Sequence, residues 1–450
     1  MTSATLETNS IETPKDMKTF FTIWGGQLIS MLGSGLTQFA LGVWIYDQTK
    51  QATPFAITVL LGTIPRVLLL PIAGSIADRF NRRFIMIVSD TLNAVLTLFI
   101  FLLLGAGSLQ LWHIYLISML GSILSAFHEP AYTASISMIV PKEKLGSANG
   151  MTQMGQAISS VLTPVMAGAL FVFIGFNGII LIDFVTFFFA IAALLFVRIP
   201  QPERAPEHKD KNIWQDMQFG WNYLNERKGL FGLLFYYAMV NFLLNWSAVL
   251  LIPMVLSRFT ADVLGIIQTV MGVGMLAGSI IMSAWGGAKR RIPTAIGFII
   301  LGVTGFIIAG LQPNPWFIGA GIFLLMFSVP LASGNSQVVF QTKVPREIQG
   351  RVFSVRSTIS QSMMPLAFLT AGPLADKFFE PLLQDGGALA STFIGQMLGT
   401  GAGRGIALMF ILSGLTGIIV SIFVYLNPRI RNLEDELPDV LIDTEQTPQN

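Results

Sequence analysis

The chain has 450 residues, of which 53% are hydrophobic and only 12% charged, which is about half the charged fraction of a typical soluble domain. This composition excludes an ordinary water-soluble enzyme, and the near balance of 27 Lys and Arg against 25 Asp and Glu excludes a strongly basic nucleic-acid-binding protein. The absence of Cys excludes disulfides and thiolate metal sites, and three scattered His residues do not predict a zinc site. We therefore expect a polytopic membrane protein without a cofactor.

Twelve stretches are long and apolar enough to cross a membrane, since a spanning helix needs about 20 mostly apolar residues. In chain order they are predicted near residues 20–46, 54–77, 84–105, 112–139, 150–173, 177–198, 229–257, 262–285, 294–311, 315–341, 352–375 and 403–427. The predicted fold class is an all-α membrane protein with twelve transmembrane helices in two six-helix bundles. We expect no cleaved signal peptide, because the first span is too long for one.

A charge-rich stretch divides the chain into domains. We predict an N-terminal bundle over residues 1–198, a cytoplasmic linker over 199–228, a C-terminal bundle over 229–427 and a cytoplasmic tail over 428–450. Within the linker, apolar residues recur at helical spacing from Ile213 to Leu224, which predicts an amphipathic helix at the membrane surface. A simple linker is the alternative.

Basic residues orient the predicted spans. Of the 27 Lys and Arg residues, 22 lie in the termini, the middle stretch and the loops that follow even-numbered spans, whereas four lie in the opposite loops. Since cytoplasmic loops carry an excess of Lys and Arg, both termini are predicted to be cytoplasmic.

The two halves share short sequence matches at one offset. Residues 73–76 (Ala-Gly-Ser-Ile) recur at 277–280, residues 140–143 (Val-Pro-Lys-Glu) recur with one change at 344–347, and Ala-Gly at 167–168 recurs at 371–372. All three pairs are 204 residues apart, which indicates duplication of a six-helix unit. Parallel repeats of this kind place a substrate site between the halves near the bilayer midplane.

A loop motif gives the first resemblance to a known family. Residues 74–83 read Gly-Ser-Ile-Ala-Asp-Arg-Phe-Asn-Arg-Arg and resemble the signature loop of the major facilitator superfamily, G-x-x-x-D-R-x-G-R-R, with Asn81 in place of the usual Gly. The sequence of this loop resembles that of the branch containing macrolide-efflux and enterobactin-exporter proteins. Two further segments, residues 344–352 and 372–376, resemble the same branch. The resemblance covers nearly the whole chain.

The resemblance implies that this loop is a conformational latch between the halves on the cytoplasmic side. The residues concerned are Gly74, Asp78, Arg79, Arg82 and Arg83. The alternative is that these charges only set the topology. A small-residue segment in span 5, with Pro164 and Gly168, resembles a worn antiporter motif, although ordinary helix packing explains it nearly as well.

A few ionisable residues fall at membrane depth, where such groups are costly and point to function. Glu129 is expected to be the deepest carboxylate and is the best proton-coupling candidate, because burial would raise its pKa and Pro130 can kink the helix beside it. Arg66 is a candidate counter-ion or anion-binding group, and a purely structural Arg66–Glu129 ion pair is the alternative. Asp183 is a further proton-coupling candidate, although a structural role is the preferred explanation for it and for Asp90.

Uncharged polar residues supply candidates for the substrate cavity. They are Gln38, Asn241, Asn245, Gln268, Asn335 and Gln337. Hydrogen bonds between helices are the alternative role for each of them.

Together these features predict a secondary active transporter that exports a hydrophobic or amphipathic small molecule, such as a macrolide-like drug or siderophore, in exchange for protons. No phosphate-binding loop is present in the sequence, so the chain does not use ATP itself. The alternatives are a lysophospholipid-flipping transporter, a non-transporting sensor on a transporter shell, and an importer, since the direction of transport rests on the family resemblance alone. The expected partners are the small-molecule substrate, protons and membrane lipid, with no nucleic acid, and we expect a monomer.

Overall fold

The computed structural model describes residues 17–141, 144–197, 199, 213–344 and 346–437, and within these ranges the chain consists of α-helices joined by short loops. The N-terminal bundle contains six helices, listed here with their bounds: α1 (Met17–Thr49), α2 (Ala52–Leu61), α3 (Ile64–Arg79), α4 (Arg82–Gly105), α5 (Leu111–Ile139) and α6 (Leu145–Phe196).

The C-terminal bundle follows the linker helix α7 (Ile213–Glu226). Its long helices are α8 (Lys228–Leu256), α9 (Ala261–Trp285), α10 (Arg291–Leu311), α11 (Pro315–Lys343), α12 (Arg346–Leu374) and α15 (Arg404–Leu426). A π-helical turn (Ala375–Phe379) and the short helices α13 (Glu380–Leu383) and α14 (Phe393–Leu398) connect α12 to α15. The chain continues into α16 (Pro428–Arg431) and α17 (Leu433–Glu436).

Three of the predicted spans differ in form from the expectation. The second is interrupted at Gly62 and Thr63, between α2 and α3. Pro65, at the start of α3, lacks the N–H that a continuous helix needs. The fifth and sixth appear together as α6, whose 52 residues contain a non-helical Gly175 with a φ of 64°. This left-handed conformation suits Gly, which has no Cβ, and it lets the chain change direction inside α6.

The predicted all-α membrane fold is confirmed, whereas the count of twelve spans stays a prediction. Ten stretches of the described helices are long and apolar enough to cross a membrane. One of them, Met154–Phe196, includes the break at Gly175, and α12 is not among the ten. The helix α12 carries Arg346, Arg351 and Arg356, which lower its hydropathy.

The two bundles pack against each other along α6 with α9 and along α2 with α12. A Cβ on Gly168 of α6 would lie 3.2 Å from the Cα of Gly265 in α9, and a Cβ on Gly372 of α12 would lie 2.6 Å from the Cα of Thr53 in α2. Glycine therefore permits close backbone contact at both boundaries. Since Gly168 and Gly372 are one of the pairs 204 residues apart, the sequence repeat places the same packing device on each bundle.

These contacts lie toward one end of the molecule. We call the end at which α1 begins and α15 ends the terminal end, and the opposite end, with the loops after α1, α4 and α8, the far end. Gly168, Gly265, Thr53 and Gly372 all lie in the half of their helices nearer the far end. The bundles are thus in contact at the far end.

Candidate substrate cavity

A cavity of about 970 Å³ lies between the bundles. Its described lining comes mostly from α1 to α6, with Ile252, Gln268 and Met271 contributed by the C-terminal bundle. The lining is a mixture of aromatic and aliphatic side chains, such as Trp24, Phe55 and Phe187, with hydroxyl, amide and charged groups. Such a combination suits an apolar ligand that is oriented by a few polar contacts.

The structure brings Arg66 and Glu129 together on the cavity wall. Nη1 of Arg66 lies 3.4 Å from Oε2 of Glu129. Because α3 begins only at Ile64, the backbone N–H of Arg66 has no partner within the helix. This N–H group donates instead to the hydroxyl of Ser122 in α5, at 3.1 Å. That contact holds the start of α3 beside the helix that carries Glu129.

The expected burial of Glu129 is not found, and its depth relative to the other carboxylates stays a prediction. The side chains of Arg66 and Glu129 are 44% and 60% exposed, because this part of α5 faces the open cavity and not a neighbouring helix. Among the residues whose side chains the structure describes, the buried carboxylates are Asp183, which is 2% exposed, and Asp90, which is 5% exposed. Sequence position along a span measures depth but does not tell which side of the helix faces water.

Asp183 lies in the second part of α6, where it meets α1 and α4. Its Oδ1 accepts a hydrogen bond from Ser34 at 3.1 Å, and its Oδ2 accepts one from Thr97 at 3.4 Å. A Cβ on Gly33 would lie 3.0 Å from Oδ1 of Asp183, so the close approach of α1 depends on that Gly. This carboxyl group also lines the cavity, so it is largely buried and yet in contact with the cavity.

A second buried carboxylate, Asp90, has His128 and Gln27 as neighbours. Nε2 of His128 lies 3.2 Å from Oδ1, and Nε2 of Gln27 donates to Oδ2 at 2.9 Å. The ring of Tyr132 stacks against His128 with centroids 6.3 Å apart. This cluster connects α1, α4 and α5, and its members line the cavity. A place for Asp90 on the cavity wall was not predicted from its position in the sequence.

Two of the six predicted cavity residues line the cavity, and the other four make hydrogen bonds inside the C-terminal bundle. Gln38 and Gln268 line the cavity. Asn241 donates to Ser360 at 2.9 Å, and Asn245 donates to the carbonyl oxygen of Asn241 in its own helix.

The remaining two predicted cavity residues also bond inside the C-terminal bundle. Asn335 is fully buried and accepts from the backbone N–H of Ala288, and Gln337 accepts from Arg356 at 2.8 Å. Neither is among the described lining residues of the cavity.

Sequence comparison identifies the family. The profile of the Major Facilitator Superfamily matches residues 23–368. The chain belongs to this superfamily. It is 31% identical over 374 residues to macrolide efflux protein A of Streptococcus pyogenes, covering 80% of this chain and 89% of that protein. It is 32% identical over 323 residues to macrolide efflux protein A of Enterococcus faecalis, covering 68% and 96% of the two chains.

Structure comparison supports the same fold. A bacterial homologue of the human lysosomal transporter Spinster, in an inward-facing and unoccupied conformation, superposes with a TM-score of 0.69 at 14% identity, covering 94% of this chain and 98% of that one. Major facilitator proteins are transporters and not enzymes. This chain is therefore a multi-pass membrane transporter of a small-molecule substrate.

The signature loop of this major facilitator protein is described only in part. The surroundings of Gly74 and the side chains of Asp78 and Arg79 lie outside what the structure describes. Arg82 is buried and donates to the carbonyl oxygen of Ala134 at 3.1 Å, and Arg83 donates to the carbonyl oxygens of Leu194 and Leu195 at 2.7 and 2.8 Å. These guanidinium groups bind backbone carbonyls near the ends of α5 and α6, where a cation is favoured by the helix dipole. All three of these hydrogen bonds stay within the N-terminal bundle.

Proposed function

We propose that this transporter exports a hydrophobic or amphipathic small molecule, of macrolide-like size and chemistry, in exchange for protons. The observation that carries the proposal is the cavity itself, which combines apolar walls with three carboxylates and one guanidinium group. The naming of two relatives as macrolide efflux proteins supports the direction and the substrate class.

The terminal end is proposed to be cytoplasmic, and the signature-loop arginines lie there. Cytoplasmic loops are enriched in Lys and Arg, and most basic residues of this chain fall in the loops and termini at that end. With the far end closed by contact between the bundles, the cavity is in the state that takes up a substrate from the cytoplasm or the inner leaflet. Rocking of the bundles would then expose it to the outside.

Substrate binding is assigned to the apolar and polar lining together. Pockets for small molecules commonly measure about 300–1,000 Å³, and the volume of about 970 Å³ lies at the upper end. Trp24, Phe55 and Phe187 supply adaptable apolar contact, whereas Gln38 and Gln268 supply hydrogen bonds from both bundles. A site of this kind holds large amphipathic molecules with modest selectivity.

Proton coupling is assigned to Glu129 and Asp183, with Arg66 as the counter-ion of Glu129. Each carboxylate lines the cavity, and each has polar neighbours that stabilise its ionised form, namely Arg66 for Glu129 and two hydroxyl groups for Asp183. Protonation weakens these contacts, so proton binding and movement of the helices that carry the contacts can be linked.

The test uses the purified protein in liposomes with an imposed pH gradient and a labelled macrolide antibiotic. Proton exchange predicts accumulation on the acidic side beyond that of protein-free liposomes, and loss of the accumulation when a protonophore collapses the gradient. We expect Glu129→Gln to lower gradient-driven accumulation about tenfold or more, because a neutral amide cannot carry the proton. Substrate exchange without a gradient should persist in this variant.

The matched control is Glu226→Gln. Glu226 is also an exposed carboxylate near an arginine, at 3.8 Å from Arg227, but it lies on the linker helix α7 and not in the cavity. Unchanged gradient-driven transport in Glu129→Gln would remove Glu129 as a proton site. A wild-type protein that moves lysophospholipid between leaflets and ignores the pH gradient would favour the lipid-flipping alternative.

A further inference from the structure

Asp376 at the far end bonds to a helix of the opposite bundle. It lies in the π-helical turn that follows α12 of the C-terminal bundle. Its Oδ1 accepts from the backbone N–H of Ala52 at 2.9 Å, and its Oδ2 accepts from the backbone N–H and the hydroxyl of Thr53 at 2.8 and 2.6 Å. One carboxylate thus makes three hydrogen bonds across the boundary between the bundles.

These bonds satisfy groups that α2 cannot satisfy itself. The first backbone N–H groups of any helix have no partner within the helix, and the residue before α2, Gln51, makes no side-chain cap. The carboxylate of Asp376 takes the place of this cap, and its negative charge is favoured at the positive end of the helix dipole. Hydrogen bonds to a charged acceptor are stronger than neutral ones.

The surrounding packing requires the same close approach. Gly372 lies one turn before Asp376 on α12, and a Cβ there would lie 2.6 Å from the Cα of Thr53 and 3.1 Å from the Cβ of Ala56. The glycine contact brings the end of α12 against the start of α2, and Asp376 then bonds to the exposed N–H groups. Separation of the bundles at the far end must break both contacts together.

A neighbouring carboxylate makes the same kind of contact without crossing the boundary. Glu380, one turn after Asp376, accepts from the backbone N–H groups of Gly403 and Ile406 at 3.0 and 2.9 Å. All of these residues belong to the C-terminal bundle, so the Glu380 contacts move with that bundle as a unit. Asp376 and Glu380 therefore differ chiefly in whether the capped helix belongs to the other bundle.

A carboxylate cap across the bundle boundary is present at one of the two repeated boundaries. The position 204 residues before Asp376 is Val172, an exposed apolar residue, and the facing helix α9 starts without a side-chain cap from Thr260. Duplication explains the glycine pair Gly168 and Gly372, whereas the carboxylate belongs to the C-terminal copy alone. This asymmetry separates Asp376 from the shared packing of the fold.

We propose that Asp376 is the far-end latch of this transporter, a positioning residue that holds the far end closed by capping α2 of the opposite bundle. Its release accompanies opening of the far end in each transport cycle. This role depends on alternating access, which the two-bundle transporter fold uses, and it is independent of the substrate and of the coupling ion.

Distance measurements between spin labels test the latch directly, and the natural absence of Cys allows labels at chosen positions. One pair, Ser108→Cys with Gln384→Cys, reports on the far end, and a second pair, Lys144→Cys with Lys289→Cys, reports on the terminal end. All four positions are exposed, and each pair joins the two bundles. The protein is measured in lipid nanodiscs without substrate.

We expect Asp376→Asn to raise the far-end-open population about tenfold, with longer far-end distances and shorter terminal-end distances. The amide keeps the size of the side chain, but it removes the charge and one of the two acceptor oxygens. Thr53→Val, which removes only the hydroxyl donor, should shift the same distances in the same direction by a smaller factor. Agreement of two variants on opposite bundles distinguishes latch loss from misfolding.

Glu380→Gln is the matched control and should leave both distance distributions unchanged. Unchanged distances in Asp376→Asn, or an equal shift in Glu380→Gln, would overturn the latch. The distance measurement needs neither substrate nor a pH gradient. It therefore tests the latch even if the proposed proton-coupled export is wrong.

Discussion

The two bundles share a repeated architecture but use their polar residues differently. In the N-terminal bundle, Arg66, Asp90, Glu129 and Asp183 line the cavity. In the C-terminal bundle, the described amides Asn241 and Asn335 bond within the bundle. Arg356 of α12 also has its partners there, namely Gln337 and the ring of Phe340 at 4.3 Å.

This difference indicates a division of roles. Ionisable groups at membrane depth are costly unless they are paired or face water. Because the N-terminal set lines the cavity, these groups are placed where they can meet ions and substrate, as the proposed function requires. In the C-terminal bundle, Asn241, Asn335 and Arg356 are instead bonded within the bundle, and Gln268 is a polar group that it contributes to the cavity lining.

The largest expected effect comes from Asp183→Asn. If the N-terminal bundle carries the coupling chemistry, this change should lower gradient-driven transport on the order of a hundredfold, since an amide cannot exchange the proton, and leave gradient-free exchange intact. Transport by reconstituted protein measures both. Asp262→Asn, an exposed carboxylate in the first turn of α9, is the control. Equal losses in the two variants would contradict a specific coupling role of the N-terminal bundle.

The second prediction concerns the boundary between the bundles. A Cβ on Gly265 would lie 2.6 Å from the carbonyl oxygen of Pro164, and overpacking of this kind costs roughly 1–3 kcal/mol. Gly265→Ala should therefore lower turnover about tenfold by disfavouring far-end closure. Gly297→Ala is the matched control, because a Cβ there meets open space. Normal turnover in Gly265→Ala would show that this contact is dispensable.

A smaller effect is expected for Gln268→Ala, which removes a polar lining residue of the C-terminal bundle. Loss of one hydrogen bond to substrate costs about 0.5–1.5 kcal/mol, so the KM for transport should rise about threefold to tenfold, with the response to the pH gradient unchanged. Asn245→Ala, outside the described lining, should leave KM as it is. A lost pH response in Gln268→Ala would place coupling chemistry in both bundles.

The smallest effect is expected for Asn241→Ala. The hydrogen bond from Asn241 to Ser360 joins α8 and α12 inside the C-terminal bundle, and interhelical hydrogen bonds in membranes contribute about 0.6 kcal/mol on average. A slightly lower Tm in detergent with normal transport kinetics is the expected outcome. A large rise in KM would instead reassign Asn241 to substrate binding.

Much of the fold was predictable because membrane solvation constrains it strongly. Long apolar stretches, the repeat offset of 204 residues and the motif at residues 74–83 follow from the sequence alone. So does the short set of ionisable residues at membrane depth, since so few charges occur in the chain. The pairing of Arg66 with Glu129 was among the arrangements that this set allowed.

The tertiary structure decided which of these residues are buried and which face the cavity. A helix that is apolar nearly all round has no polar stripe that would reveal its inward face, so the sequence could not tell that Glu129 is exposed and Asp183 enclosed. Ser34 and Thr97 are 149 and 86 residues from Asp183, and only packing brings them together. The contact of Asp376 with α2 spans more than 320 residues and exists because two glycine-lined boundaries close at the far end.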